Sequence, residues 1–335
     1  MRPTIHDVAK KLNLSITTVS RALDGYDDVA EGTRRLVVET AREMDYVPNR
    51  AARQLRRQQA ETIGFIIPAL SQRFDEAFFT EFIAGLGEEL SARNFDLLVS
   101  NAKTEDGEAN LYRRWVNSDK VDGFILNSIH RYDWRTQYLS EEKIPFVTLG
   151  KSQDRRQYPC IRIDGAEAYL QLVRHIRKNK FSRFAFVGGP TALVDHSERL
   201  QWFHSALKNC GLQAKPAHVV STDLSSAAGY EATRKLLAST GPPDAILCVN
   251  DEVAFGALHA VHEKGLTVGT EIAIAGFDGV QDAKYSEPPL TTLDIPVFDI
   301  ARQLVDMLLK TVAGERVETP VFIKPALLMR PSTGA

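Results

Sequence analysis

TIHDVAKKLNLSITTVSRAL, residues Thr4 to Leu23, decides the fold of the first part of this chain. Ile5, Val8, Ala9 and Leu12 recur at helical spacing, and Thr4 with Asp7 three residues later forms a capping-box pattern. Asn13-Leu14 breaks the run. Ser15 is a natural cap for a second helix, Ile16 to Leu23, whose inner side is expected to carry Val19, Ala22 and Leu23, and Asp24-Gly25 ends it. Ile16, Thr17, Thr18, Ser20 and Arg21 are left for the exposed side. They are short enough, arginine apart, to let a helix N-terminus sink into the major groove of DNA. A third helix, Thr33 to Asp45, is expected to turn Leu36, Val37, Thr40, Ala41 and Met44 inward and close a three-helix core. A small helical bundle with no DNA role fits the same pattern, because bare helix-turn-helix spacing matches many sequences.

Working outward, PNRAARQLRR begins at Pro48. Asn49 can cap a short helix over residues 50–57, but Arg50, Arg53, Arg56 and Arg57 crowd it with like charge, and so short a helix is marginal alone in water. Against phosphates those arginines find partners and the helix can form. Leu55 is then an apolar side chain in a cationic segment, the kind of wedge that opens a base step from the minor groove. A solvated linker with one incidental leucine is the alternative.

The bulk properties agree with a chain that touches DNA at one end. The 335 residues carry a formal net charge of −2. Residues 1–60 hold 11 Lys/Arg against 8 Asp/Glu, a balance of +3, and the remainder is −5. Cys160, Cys210 and Cys248 lie far apart in or beside apolar runs, which reads as buried thiols, with neither a disulfide framework nor a metal site expected. The N-terminus has no apolar signal-peptide core and no window reaches a membrane-span length, so a cytoplasmic protein is expected. No cofactor is expected either: no Walker loop, Rossmann glycine fingerprint, zinc-protease helix or nucleophile elbow occurs, which argues against an enzyme.

Beyond residue 60 apolar runs of strand length alternate with helical stretches. The first series is TIGFIIP (62–68), DLLVSN (96–101), GFILNS (123–128) and FVTLG (146–150). A second series is RFAFVGG (183–189), AHVVS (217–221), AILCVN (245–250) and IAIAGFD (272–278). Buried strands alternating with helices, such as 81–92 and 166–178, predict α/β units with parallel sheets, and two series predict two similar lobes. Asn127, Asp164, Asn250 and Asp278 fall at strand ends, where such sheets bind ligands, although capping the following helix is an equally ordinary use of Asn and Asp.

TIHDVAKKLNLSITTVSRAL, then TRRLVVETAREMDYVPNRAARQL, then TIGFIIP, resembles the N-terminal signature of the lactose-repressor/galactose-repressor family of bacterial transcription regulators. The resemblance implies an α/β architecture with a helix-turn-helix head (1–47) and a hinge helix or linker (48–60). A two-lobed effector and dimerisation domain of periplasmic-binding-protein-like type I follows (61–331). Lobe 1 would comprise about 61–162 and 294–320, lobe 2 about 163–293 and 321–331, with crossings near Asp164, Leu293 and Phe322. Ile16 and Thr17 would read bases, and Thr18, Ser20 and Arg21 would touch bases or phosphates, with the caps Thr4 and Ser15 at the same surface. Asn49 and Ala52 would lie on the minor-groove face and Leu55 would intercalate. In the body the resemblance places Phe78, Phe79, Asn127, Asp164, Arg199, Asn250 and Asp278 around a small-molecule effector, most simply a sugar. Lys151, Asp195, His196 and Asp133 are further candidates at the mouth. The implied partners are near-palindromic double-stranded operator DNA, the effector and a second copy of the chain, with no membrane. The absence of a leucine heptad tail argues for a dimer rather than a tetramer.

Several positions depart from the family pattern. Ala30 stands where a serine caps the third helix, so that helix is expected to fray or to borrow Asp28. Asp24, Asp27 and Asp28 put acid in a loop near phosphates. Leu224 replaces an aromatic, and Gly150 a polar pocket residue. A purine or sugar phosphate acting as corepressor is the alternative effector. A sugar-transport binding protein is the alternative function, which would require a signal peptide and no basic head.

Overall fold

A computed structural model describes residues 3–46, 59–68 and 77–334. Asn49, Ala52 and Leu55, with the hinge helix expected over 50–57, lie outside them. The chain divides into two compact units, Met1–Ala60 and Glu61–Ala335.

Among the described residues of the first unit three helices follow one another: α1 (Ile5–Leu12), α2 (Ile16–Leu23) and α3 (Glu31–Glu43). Thr4 caps α1, its backbone N–H donating to Asp7 Oδ2 at 2.8 Å. Asn13 takes the left-handed conformation that turns the chain, with φ 50°. Ser15 accepts from the Thr18 backbone N–H at 3.0 Å and starts α2 at the expected residue. Val8, Ala9, Val19, Ala22, Val29 and Val37 form the core, with Ile5, Leu12, Leu14, Leu23 and Met44 packed against it. One expectation fails outright and one in part. Leu36 is 49% exposed, because the inner stripe of α3 runs through Val37, Thr40 and Ala41. Ala30 caps α3 with no side-chain bond, and Asp28 is not borrowed, because it is held by Arg21 instead.

The second unit holds two six-stranded sheets. The first contains β1 (Thr62–Ile67), β2 (Asp96–Asn101), β3 (Gly123–Leu126), β4 (Phe146–Leu149), β5 (Cys160–Ile163) and β11 (Val321–Ile323). Their order is β11-β5-β4-β3-β1-β2, and all neighbours are parallel. The second contains β6 (Phe184–Gly188), β7 (Val219–Ser221), β8 (Ala245–Cys248), β9 (Ala273–Asp278), β10 (Thr291–Asp294) and β12 (Ala326–Leu328). Its order is β12-β10-β9-β8-β6-β7, parallel except for β12 against β10.

The two sheets are interwoven. The chain passes from the first to the second after Ile163 and returns after Asp294 into α11 (Val297–Val312). That helix packs on α4 (Ala77–Ala92) of the first lobe. The last crossing is at Lys324-Pro325, so β11 belongs to the first lobe, a few residues beyond the boundary expected at 320/321. Strand residues such as Phe65, Ile125, Val147, Phe186, Ile246 and Phe277 are almost completely buried, and each large apolar side chain so buried contributes about 1.5–3 kcal/mol. Cys160, Cys210 and Cys248 are free and buried, as read from their apolar settings. Among the described residues no helix is long and apolar enough to cross a membrane.

Candidate functional site

On the head, Ser15, Ile16, Thr17 and Arg21 are exposed and Thr18 is half-exposed around the start of α2. Ile16 is 40% exposed, an apolar side chain in the open. Ser20 is different from expectation: it is buried at 4%, next along the helix from buried Val19, and its hydroxyl donates to Asp24 Oδ2 at 3.3 Å. Arg21 is already engaged. Its Nη2 lies 2.6 Å from Asp28 Oδ2 and its Nε donates to Asp28 Oδ1 at 3.2 Å, and its guanidinium lies 4.9 Å from the Tyr26 ring centroid.

In the body the carboxyl ends of the two sheets face each other. Ile129–Arg131, just after β3, meets Ala192–Val194 at the start of α8 (Val194–Asn209). The Arg131 N–H donates to Ala192 O at 3.0 Å and the Val194 N–H donates to Ile129 O at 2.9 Å, a minimal antiparallel bridge between lobes. Arg162 of β5 reaches Glu198 of α8 at 2.6 Å, a second link between lobes.

The first turns of α8 carry the chemistry. Arg199 turns inward. Its Nη1 donates to Val249 O, its Nη2 donates to Asp278 Oδ1 at 3.2 Å, and its guanidinium lies over the Phe277 ring at 3.7 Å. Asp278 ends β9 with φ 108°, a backbone conformation few side chains tolerate. Burial pushes its carboxyl up to about 6 against the pull of Arg199. Asp195 is likewise pushed up to about 6 by burial, and its Oδ1 lies 3.2 Å from where a Cβ would stand on Gly150. The small residue at 150 therefore leaves room for a carboxyl from the opposite lobe.

Asn250 is both cap and candidate ligand. Its Oδ1 accepts from the Val253 N–H at 2.9 Å and starts α10 (Asp251–Glu263), which leaves its amide nitrogen for a ligand. Asn127, following β3, is 3% exposed, and its Oδ1 has no hydrogen-bond partner. An orphaned buried acceptor costs about 1–3 kcal/mol and is explained when a ligand supplies the donor. Asp164 follows β5 at the first crossing, half-buried, its backbone N–H donating to Ile323 O at 2.8 Å. Of the two aromatics, Phe79 turns into the core at 6% exposure, whereas Phe78 stays half-buried at the start of α4 and stacks on Phe82 at 5.9 Å. The i, i+4 spacing puts Phe78 over Phe82, so only Phe78 presents a ring edge outward.

Two mouth candidates are occupied elsewhere. Lys151 lies over the Tyr158 ring at 3.3 Å and donates to Arg156 O at 2.5 Å. Asp133 is buried with Arg135 and Glu108. Arg135 Nη2 reaches Asp133 Oδ2 at 2.6 Å and also donates to the carbonyls of Asn127 and Ser128 at 3.1 and 3.0 Å. Burial would raise Asp133, but Arg135 holds its carboxyl below the ordinary range. This network fixes the loop that carries Asn127 and the inter-lobe bridge. Nothing local in the sequence announces it, because Glu108 is distant in the chain.

Asp251 is a second buried carboxyl missed from sequence. It accepts from the N–H groups of Gly279 and Val280 at 2.9 Å each and from the Thr292 hydroxyl at 2.6 Å. It thereby pins the turn after Asp278 to β10. Among the described residues no cluster of His, Cys, Asp and Glu could hold a metal ion.

Known proteins and family models match most of this chain. A family model described as the periplasmic binding proteins and sugar binding domain of the LacI family matches residues 60–330, and one for bacterial regulatory proteins of the lacI family matches residues 4–49. The chain is 33% identical over 342 residues to the HTH-type transcriptional regulator AglR of Rhizobium meliloti, covering all of this chain and 95% of that protein. It is 29% identical to the HTH-type transcriptional regulator CelR of Thermobifida fusca, covering 99% and 98%. Among solved structures, a CelR–cellobiose complex superposes with a TM-score of 0.76 at 28% identity, covering 99% of this chain and 100% of that one. A lac repressor dimer bound to operator and the anti-inducer ONPF gives 0.83 at 26% identity, covering 100% of both.

Proposed function

Because this chain belongs to the lacI family of bacterial regulatory proteins, we propose that it is a repressor whose hold on a near-palindromic operator is set by a sugar bound between its two lobes. It is a DNA-binding transcription regulator, and its chemistry is recognition rather than catalysis. Two copies reading two half-sites suit a helix-turn-helix head, and a protein acting on bacterial DNA works in the cytoplasm.

In this reading Ile16, Thr17, Thr18 and Arg21 meet the major groove, with Thr4 and Ser15 fixing the helices that present them. Asn49, Ala52 and Leu55 meet the minor groove. Arg199, Asp278, the amide nitrogen of Asn250 and the carbonyl of Asn127 take ligand hydroxyls, Asp164 lies at the adjoining crossing and Phe78 offers an apolar ring edge.

The carrying observation is the inward guanidinium of Arg199, set against Asp278 and Phe277, with an orphaned Asn127 at a strand end of the other lobe. Paired carboxyl and guanidinium groups beside an aromatic ring bind vicinal hydroxyls from several sides at once. A sugar that binds the bridged form of the lobes better than the open form shifts that equilibrium, and couplings of this kind are typically about 1–3 kcal/mol. A sugar phosphate is served less well, since Asp278 pairs with Arg199 and Asp195 lies one turn before it, which leaves no surplus positive charge. A transport binding protein has no use for a head matched over residues 4–49.

The test is selection of duplexes from a random library by the full-length chain, followed by titration of the winning duplex with neutral sugars. Enrichment of an inverted repeat, with release by a sugar, is the expected outcome. No enrichment over random competitor at moderate salt would overturn the reading.

A further inference from the structure

We propose that His196 is an effector-binding residue, presenting its ring edge and Nδ1 to a hydroxyl of an uncharged, hydroxyl-rich ligand. This rests on the sugar-regulated reading above and deepens it. His196 lies in the first turn of α8, one residue after Asp195 and one turn before Arg199. Its ring packs at the carboxyl end of β6 and β7. A Cβ built on Gly189 would stand 2.7 Å from His196 Cε1, 2.8 Å from its Nδ1 and 2.5 Å from Leu224 Cδ2. Only glycine at 189 allows the imidazole and Leu224 to close together there. The imidazole thus supplies, beside Leu224, the flat ring that residue 224 itself does not.

Two further facts point this ring at a ligand. Its Nδ1 is buried and has no hydrogen-bond partner, like Asn127 Oδ1 in the opposite lobe. Orphaned buried polar atoms call for a partner, and a polyol offers a hydroxyl to each. Burial, with Arg199 nearby, pushes the imidazole down to about 3, so it stays neutral and can either accept or donate. A neutral histidine adds no charge to a cleft in which Arg199 is already matched by carboxyls, and that excludes a phosphate as the natural fit.

The test uses the full-length protein. Cellobiose, maltose, sucrose, glucose, glucose 6-phosphate and hypoxanthine are screened for binding by calorimetry, and the neutral sugar that binds is carried to the variants. His196→Ala is expected to weaken that sugar at least tenfold, and His196→Asn, whose amide reaches the place of Nδ1, to recover part of the loss. Unchanged affinity in His196→Ala overturns the proposal, as does binding only of glucose 6-phosphate or hypoxanthine, or of nothing in the panel. Operator binding by the same preparations separates the two ideas. If it persists while the sugar result fails, the role of His196 falls and the regulator reading stands. If operator binding is absent from the parent as well, the broader reading has failed too.

Discussion

Replacing Asp28 by alanine is expected to tighten DNA binding, an unusual direction for a substitution in a DNA-reading head. Arg21, the cation closest to the reading helix, is clasped by Asp28 through contacts of 2.6 and 3.2 Å. To reach a phosphate it must leave that carboxylate. The side chains are 45% and 54% exposed, so the pair is worth about 0.2–1 kcal/mol, and its two-point geometry favours the upper end. In a dimer the cost is met twice, about 2 kcal/mol, or roughly thirtyfold in affinity. Removing a carboxylate beside the phosphates adds a salt-dependent gain in the same direction. The assay is fluorescence anisotropy on the selected operator and on a random duplex, each over a range of salt. Both affinities should rise for Asp28→Ala, by about tenfold or more at physiological ionic strength. In an Arg21→Ala background the Asp28 substitution should do much less, which isolates the pair. Unchanged affinity would mean that the clasp does not compete with DNA. Weaker affinity would mean that Asp28 positions Arg21 for its phosphate, and either result refutes the reasoning.

Arg199→Ala should abolish sugar-dependent release while leaving operator affinity within about twofold, measured by the same titration. Leu55→Ala should weaken the selected operator more than random duplex and leave sugar affinity unaltered, since the substitution removes only a minor-groove wedge. The ligand-free protein should lose stability as pH rises from about 4 to 6. Asp195 and Asp278 sit near 6 in the folded chain against 3.8 when unfolded, so the unfolded form releases its protons first. Each shift corresponds to roughly 3 kcal/mol, and Asp195→Asn should flatten the pH dependence of denaturant midpoints across that window.

Local features were legible in the sequence and assembled ones were not. The bounds of α2 and the cap at Ser15 follow from residues within one turn, so they could be read directly. The burial of Ser20 and exposure of Leu36 depend on how α2 and α3 rotate against their neighbours, which helical spacing leaves open by a residue or so. The long apolar strands were visible. CIRI and TTLD are interrupted by polar residues and VFI and ALL are only three residues long, so β5, β10, β11 and β12 emerge only from pairing. Strand-end polar residues could be read as cleft candidates from sequence, yet Phe79 belongs to the core and Asp133 to a buried ion cluster. His196 was one of four mouth candidates in the sequence, and what distinguishes it from the others is a setting made by Gly189 and Leu224 from two other elements.

The seam between residues 129–131 and 192–194 is hydrogen-bonded through peptide groups, with Ile129 and Val194 buried in one apolar cluster beside it. None of its hydrogen bonds uses the side chains of residues 195, 196 or 224, so those positions can drift toward a new ligand while the seam is kept. Proline at 131 or 194, by erasing a donor, would unpick it, and such a chain would be expected to sense its sugar without passing on the news.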